Sequence, residues 1–272
     1  MQAVGEKFGV DNDYAFIRIK NISKDFGAGS SKNNILNNID FSIVKGSFVS
    51  ILGASGCGKS TLLQIIAGLQ KSSGGEVWLG DKAIDKPPFE MLYLFQQYTK
   101  SIFPWLTVSE NIAFGMHSRH KWSPKEITER CEQMIRLVGL EGHGKYYPRQ
   151  LSGGMQQRVA IARALACEPD VLLMDEPFSA VDAMTRASLQ DLVLKLWAEL
   201  GLTVLFITHD IEEAVYLSGR VIMLHRAPKN LALDMTIDLP YPRDHLATPE
   251  LPGFLEYRHR LYEEIYSAEG GK

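Results

Sequence analysis

The sequence predicts an α/β fold: a parallel-stranded core, led into by an antiparallel meander and carrying an inserted helical lobe. Three observations predict it. Short apolar runs alternate with helix-period segments, the pattern of strands covered on both faces. One such run, residues 47–52, leads directly into a glycine-rich loop and then a helix. Residues 97 to about 166 lose the strand signals and carry helical patterns instead.

Composition sets the bounds. A chain of 272 residues, 45% hydrophobic, can bury a sizeable core, as one large domain or a domain with a lobe inserted. Net charge is −3 with no long basic run, so duplex nucleic acid is a poor default partner. No stretch approaches the ~20 consecutive apolar residues of a membrane span. The start of the chain is polar through Asp11, Asn12 and Asp13, unlike a secretory signal. Cys57, Cys131 and Cys167 are far apart and odd in number, which suggests reduced cytosolic thiols rather than a disulfide or zinc framework. His117 and His120, the closest histidine pair, read as solvated loop residues rather than metal ligands.

Residues 1–13 are expected to be loose. Residues 14–26 and 35–44 show apolar alternation broken by Gly, Asn and Ser, as in strands of a meander. Phe26 ends the first run, where an aromatic ring either stacks on a flat ligand or fills a core position. After the strand at 47–52 comes Gly53-Ala54-Ser55-Gly56-Cys57-Gly58-Lys59-Ser60-Thr61, which matches G-x-x-x-x-G-K-[ST] at every fixed position. Leu62, Leu63, Ile65, Ile66 and Leu69 follow at helical spacing. The glycines let successive N–H groups converge on one anion, and the helix N-terminus adds partial positive charge. Lys59 can reach the β- and γ-phosphates of a nucleotide, and Ser60 can hold Mg²⁺. A loop that binds nothing would explain neither residue.

Residues 75–81 read as strand and turn, and Pro87-Pro88 punctuates the chain. Residues 91–95 are a buried strand ending at Gln96. A polar residue at such a strand end sits where ligands bind in open α/β sheets, although a lone glutamine is also an ordinary strand end. In the helical segment, Ser123-Pro124-Lys125-Glu126 is a capping box with proline at the first helical position. Ile127, Cys131, Met134, Ile135 and Val138 form the buried stripe, and Gly139 ends the helix. Tyr98, Phe103, Pro104 and Trp105 make the entrance to this lobe aromatic. They either pack internally or form an exposed docking surface.

Leu151-Ser152-Gly153-Gly154-Met155-Gln156-Gln157-Arg158 opens a helix running through Ala166. Ser152 reads as its N-cap. Ser-Gly-Gly there offers bare N–H groups and a hydroxyl, suited to an anion, or simply a capped, flexible entry. Residues 170–174 form a central strand ending in Asp175 and Glu176. Adjacent carboxylates at such a place are costly unless they meet a cation or a water to be activated. Asp175 suits Mg²⁺, and Glu176 suits polarisation of an attacking water. Asp182 caps a helix with Leu189, Leu192, Val193, Leu196 and Trp197 on one face, ending near Gly201. The strand at 203–208 presents His209, which can donate to a γ-phosphate oxygen or serve as a plain cap residue. Glu212 and Glu213 suit the first turn of the next helix. Residues 221–224 are expected to close the sheet. The tail, rich in proline from Pro240, ends in an amphipathic helix bearing Phe254, Leu255, Leu261, Tyr262 and Ile265.

Together these motifs resemble the nucleotide-binding subunit of an ATP-binding-cassette (ABC) transporter, over residues 15 to 238. Leu151-Ser-Gly-Gly-Met-Gln-Gln matches the signature of that family, alongside the loop at 53–61 and the strand at 171–176. The resemblance implies a P-loop NTPase (RecA-like) core with an antiparallel β meander and an inserted α-helical subdomain. The implied divisions are a flexible 1–13, a nucleotide-binding domain over 14–238 with its helical subdomain at about 97–166, and a C-terminal tail over 239–272. It implies ATP and Mg²⁺ as ligands. Phe26 and all nine residues from Gly53 to Thr61 would bind ATP; Ser60, Gln96 and Asp175 would hold the metal; Lys59, Gln96, Glu176 and His209 would act in catalysis. Ser152, Gly153, Gly154 and Gln156 would touch the ATP of a partner subunit. Ser179-Ala180-Val181-Asp182 resembles the loop at the dimer interface, with Asp182 its key residue; the family more often has leucine where Val181 stands.

The resemblance further implies a homodimer closing head to tail around two ATP, coupled to integral membrane permease subunits. The aromatic entrance at 98–105 is where the family usually meets the permease. Phe95-Gln96-Gln97, Phe103-Pro104-Trp105-Leu106-Thr107-Val108, Asp175-Glu176-Pro177-Phe178 and Thr208-His209-Asp210-Ile211-Glu212-Glu213-Ala214 are similar to the nitrate, sulfonate and taurine importer ATPases. So is the short tail starting Leu239-Pro240-Tyr241-Pro242-Arg243-Asp244. The expectation is therefore the ATPase of an importer, peripheral at the cytoplasmic face of the inner membrane. It would work indirectly with a periplasmic or extracellular solute-binding protein and without nucleic acid. The alternative is a soluble ABC ATPase in a non-transport process such as DNA repair or translation. That reading predicts coiled-coil insertions, zinc cysteines, a second cassette or basic patches, none of which the sequence contains. An exporter fragment would normally bring its own membrane spans, and a module without turnover would not need Lys59, Asp175, Glu176 and His209 together.

Overall fold

The computed structural model describes residues 15–27, 33–96, 101–117, 121–179, 181–227 and 230–269. Residues 1–14, with the loose start expected there, lie outside the described residues, as do Tyr98, His120 and Ala180. The chain divides into two compact units, 1–88 with 203–272, and 89–202.

The first unit opens with β1 (Ala15–Phe26) and β2 (Asn33–Val44), paired antiparallel with Ile19 opposite Phe41. Their alternation places Ile17, Ile19, Ile22, Leu36, Ile39 and Ile43 in the core. β3 (Phe48–Gly53) is buried at every position, as its unbroken apolar run requires. α1 (Lys59–Ile66) follows the glycine loop. β4 (Gly74–Leu79) and β5 (Lys82–Ala83) complete an antiparallel sheet in the order β2-β1-β4-β5, the expected meander. Leu69 departs from expectation, since α1 ends before it and Leu69 is 47% exposed. Gly68 explains this. Its left-handed conformation (φ 69°) turns the chain out of the helix, with the Gly68 N–H bonded to the Ile65 carbonyl.

The second unit contains β6 (Met91–Leu94), α2 (Val108–His117), α3 (Pro124–Leu137), α4 (Gly153–Leu165), β7 (Val171–Asp175) and α5 (Ala183–Leu200). β6 runs parallel to β7, with Tyr93 opposite Leu173. α2 packs on α3 and α4. The caps fall where local chemistry puts them. Ser123 accepts the Glu126 N–H while Glu126 Oε2 accepts the Ser123 N–H at 2.7 Å, closing the capping box of α3. Asn111, fully buried in α2, donates to the Phe103, Leu106 and Thr107 carbonyls and accepts the Phe103 N–H at 2.9 Å. That network fixes the 103–107 loop.

The chain re-enters the first unit with β8 (Thr203–Thr208), α6 (Ile211–Leu217), β9 (Arg220–Leu224), β10 (Leu231–Thr236) and α7 (Pro252–Glu269). β3 lies between β8 and β9 and is parallel to both. The sheet does not close at 221–224, because β10 adds an antiparallel edge beside β9. Its period-two signal, Leu231, Leu233 and Met235, is present but short, and buries only Met235 well. In α7 the face that packs is carried by Phe254 and Leu261, seven residues apart. Leu255 and Tyr262 face outward at 43% and 40% exposure.

The tail grips α6 along its length. Tyr241 Oη donates to the Leu217 carbonyl at 3.0 Å and Arg243 to the Ser218 carbonyl at 3.4 Å. The His245 ring stacks on Tyr216, and Arg258 meets Glu212 at 3.0 Å. A helix of seven residues is too short to hold itself, so these contacts supply what propensity does not. Cys57, Cys131 and Cys167 are all free thiols and buried. Burial, with the Glu132 charge second, pushes the Cys131 thiol up to about 11.

Candidate functional site

In the first unit the glycine loop is shaped by positions where a side chain has no room. A Cβ on Gly53 would stand 2.3 Å from the Leu224 carbonyl oxygen and 2.9 Å from Cys57 Sγ. Gly58, in a left-handed conformation (φ 102°), would place a Cβ 2.7 Å from Leu36 Cδ2, so β2 closes one side of the turn. Lys59 begins α1 with its side chain drawn inward, and the residue is 5% exposed. Its ammonium donates to the carbonyls of Gly53 at 2.7 Å and Ala54 at 3.2 Å. Ala54, Ser55, Gly56 and Ser60 are exposed around it, while Cys57 is buried under the loop and burial raises its thiol pKa. Phe26, at the end of β1, is 44% exposed, with the Lys24 ammonium 5.1 Å from its ring centre. An exposed ring favours stacking over the core role. His209 is exposed in the turn between β8 and the cap of α6. The Asp210 N–H binds Thr208 Oγ1 at 3.0 Å, and Asp210 Oδ1 accepts the Glu213 N–H at 3.1 Å.

Sequence reasoning missed Arg226 here. It lies just beyond β9 and donates to the Ser55 carbonyl at 3.3 Å, adding a cation beside the loop. Nothing in the glycine motif signals it, because the parallel pairing of Gly53 with Leu224 is what brings it there.

The second unit holds the carboxylates. Gln96 is exposed just past β6. Asp175 ends β7, is 7% exposed, and accepts the Tyr93 hydroxyl through Oδ2 at 2.9 Å. Glu176 follows, half-buried, with a left-handed backbone (φ 43°) that a glutamate rarely adopts. Its carbonyl accepts both the N–H and the hydroxyl of Ser179, at 3.3 and 3.0 Å, which holds the turn.

The signature turn is built nearby in the same unit. Ser152 is exposed and its Oγ accepts the Met155 N–H at 3.3 Å. A Cβ on Gly153 would meet nothing within 4 Å, so the first turn of α4 is open to an approaching group. Gly154 differs, since a Cβ there would stand 2.9 Å from Thr185 Cγ2 in α5. The Gln156 amide nitrogen donates to the Pro148 and Leu151 carbonyls at 3.0 and 3.3 Å, which ties the turn to the loop before it. Asp182 caps α5 by accepting the Thr185 N–H at 3.0 Å, and that bond holds its carboxyl below the usual range. The structure thus joins the signature turn to the first turn of α5 through Gly154.

The aromatic entrance divides. Phe103 is half-buried, with its ring centre 4.5 Å from Phe114 and 5.5 Å from the Arg163 guanidinium. Trp105 stacks at 5.5 Å on Phe103 and stays 69% exposed. Among the described residues, no helix is long and apolar enough to cross a membrane.

A phosphate loop between a buried strand and a helix, with paired carboxylates ending another strand, is the framework of a P-loop NTPase, and comparison with known proteins narrows the family. Residues 36–179 match the ABC transporter family model. The chain belongs to that family; it has the P-loop NTPase fold and is an ATP-binding ATPase. It is 44% identical over 249 residues to an aliphatic sulfonates import ATP-binding protein, SsuB, of Bacillus cereus, covering 92% of this chain and 95% of that protein. The SsuB protein of Bacillus subtilis is 43% identical over 246 residues, 90% of this chain and 92% of that one. Among solved structures, the dimeric post-hydrolysis state of the cassette MJ0796 bound to ADP and Pi matches with a TM-score of 0.70. That match has 33% identity and covers 82% of this chain and 100% of that chain. CbiO1 from Clostridium perfringens, part of the ABC transporter complex cbiONQ, matches with a TM-score of 0.73 at 28% identity, covering 82% and 88%.

Proposed function

We propose that this chain is the ATPase subunit of an importer, working as a homodimer at the cytoplasmic face of a membrane and powering uptake of a small solute through permease subunits. The observation that carries the reading is the likeness across 92% of the chain to proteins named for aliphatic sulfonate import. An aliphatic sulfonate is accordingly the favoured cargo, with nitrate and taurine the related choices. The solute itself would be recognised by the permease and a solute-binding protein outside the cell.

The residues have separable tasks. Phe26 stacks on adenine. The N–H groups of the 53–61 loop and the Lys59 ammonium bind the phosphates. Ser60, Gln96 and Asp175 are oxygen donors, the hard ligands that Mg²⁺ takes, and Asp175 is a carboxylate drawn inward at 7% exposure. They would hold the metal, whose contribution is to neutralise charge on the phosphates. Glu176 polarises the attacking water and His209 donates to a γ-phosphate oxygen. Ser152, Gly153 and Gly154, with an open first turn, meet the ATP of the partner subunit, and Gln156 holds that turn. Asp182 sits at the dimer interface. Trp105, exposed on a ring cluster that Asn111 and Arg163 support, docks the permease.

A tagged Glu176→Gln variant tests this. It is expected to retain ATP binding, lose most hydrolysis and, with ATP present, bring a multi-spanning permease out of solubilised membranes. Near-normal turnover would remove Glu176 from its role. Recovery of only soluble partners would overturn the transport assignment while leaving the ATPase in place.

A further inference from the structure

We infer that Tyr93 is a positioning residue for the metal-binding carboxylate, an inference that rests on the reading of Asp175 as a Mg²⁺ ligand. β6 and β7 are parallel, with Tyr93 opposite Leu173. Side chains alternate along a strand, so Leu173 and Asp175 share a face, and Tyr93 lies diagonally across from Asp175 on that face. A diagonal neighbour is within reach of a long aromatic side chain. Tyr93 uses that reach, its hydroxyl donating to Asp175 Oδ2 at 2.9 Å.

The bond is suited to orientation. Asp175 is 7% exposed, and a hydrogen bond in such an interior is electrostatically stronger than one in water. A hydroxyl on Oδ2 fixes the rotation of the carboxylate about its terminal bond, a torsion that is otherwise broad. The other oxygen then has a set direction. Tyr93 is itself held, because its ring lies 4.5 Å from that of Phe95. The arrangement is that of an outer-shell partner, which orients a metal ligand without touching the metal. The sequence carries a faint trace of it, since Tyr93 is the one polar side chain in Met91-Leu92-Tyr93-Leu94, and a tyrosine in such a strand needs a partner for its hydroxyl.

Tyr93→Phe removes the hydroxyl and keeps the ring. The test follows nucleotide binding by fluorescence of a labelled ATP analogue in a Glu176→Gln background, first in EDTA and then as Mg²⁺ is added. Loss of an outer-shell partner weakens metal affinity by roughly 10-fold or more, so the half-saturating Mg²⁺ concentration should rise by about that factor. Affinity in EDTA should stay within about twofold, which a merely structural defect would not allow. Electron paramagnetic resonance of Mn²⁺ binding supplies a second readout independent of turnover. An unchanged Mg²⁺ dependence in Tyr93→Phe, or an equal loss of affinity with and without metal, overturns the inference. Asp175→Asn run in parallel separates the two layers. If it shifts the Mg²⁺ dependence while Tyr93→Phe does not, only Tyr93 is wrongly assigned. If Asp175→Asn leaves that dependence unchanged, the metal reading of Asp175 fails and this inference falls with it.

Discussion

Glu176 occupies a backbone conformation that its residue type resists, and the cost can be measured. Its φ of 43° is left-handed, and the two bonds from Ser179 to its carbonyl hold it there. Such a conformation costs an L-residue about 1–2 kcal/mol and glycine nothing. Glycine's greater freedom in the unfolded chain normally makes it about 0.5–1 kcal/mol worse than alanine. The difference leaves Glu176→Gly more stable than Glu176→Ala by roughly 0.5–1 kcal/mol, from the two terms together. Both substitutions remove the carboxylate and its packing, so the comparison isolates the backbone. For a chain of this length the gain is about 1–2 °C in melting temperature, best read alongside urea midpoints. Turnover in both variants should fall by about 10²–10⁴, the usual contribution of a general base. If Glu176→Gly proved less stable than Glu176→Ala, the turn would carry no strain, and the idea that it is maintained against its own preference for the sake of hydrolysis would fail.

Three further outcomes are expected. Ser123→Ala should lower the urea-unfolding stability by about 1 kcal/mol through loss of the α3 cap. The Glu126 carboxyl is held below its ordinary range, first by the Ser123 side chain and then by its N–H. A depressed folded-state pKa gives stability that is present above the unfolded value and lost as pH falls through the folded one. The urea-midpoint gap between the wild-type chain and Glu126→Gln should therefore be larger at neutral pH and close in acid; a gap that widened in acid would contradict the capping box. Phe26→Ala should weaken ATP binding by roughly 10-fold or more, as base stacking is worth about 1–3 kcal/mol. Its melting temperature should scarcely change, because the ring is 44% exposed; a large stability loss with intact affinity would return Phe26 to the core.

What could be read from the sequence was chemistry that is local in the chain. The caps at Ser123, Ser152 and Asp182 each depend on a donor three residues away, and all three stand where composition placed them. The 53–61 loop is likewise a matter of adjacent residues. What escaped depended on register and tertiary neighbours. Tyr93 reaches Asp175 across 82 positions, and Arg226 reaches Ser55 across 171. In α7, helical spacing suggested five packing residues, but the direction of the helix against α6 chose Phe254 and Leu261 and left Leu255 and Tyr262 outside. Leu69 fell on the apolar stripe of α1 but beyond a glycine that ends it. The aromatic entrance was ambiguous for a similar reason: Phe103 and Trp105 are two residues apart, yet Arg163 and Phe114 cover only the first.

The two units are threaded differently, and this has a consequence for the order in which the protein can be made. Residues 89–202 form a continuous stretch, so the pairing of β6 with β7 and the packing of α2 on α3 and α4 need no later segment. The other unit is split around it. β3, with the phosphate loop at its end, pairs Phe48 with Val204 and Val49 with Arg220. Until those late strands emerge, the loop that names the family has a strand with both edges bare. Bringing such distant segments together is slow because the loop must close before any contact rewards it. Nucleotide should therefore become bindable only near the end of translation, and a nascent chain arrested before residue 203 should hold a folded middle and an unfinished beginning.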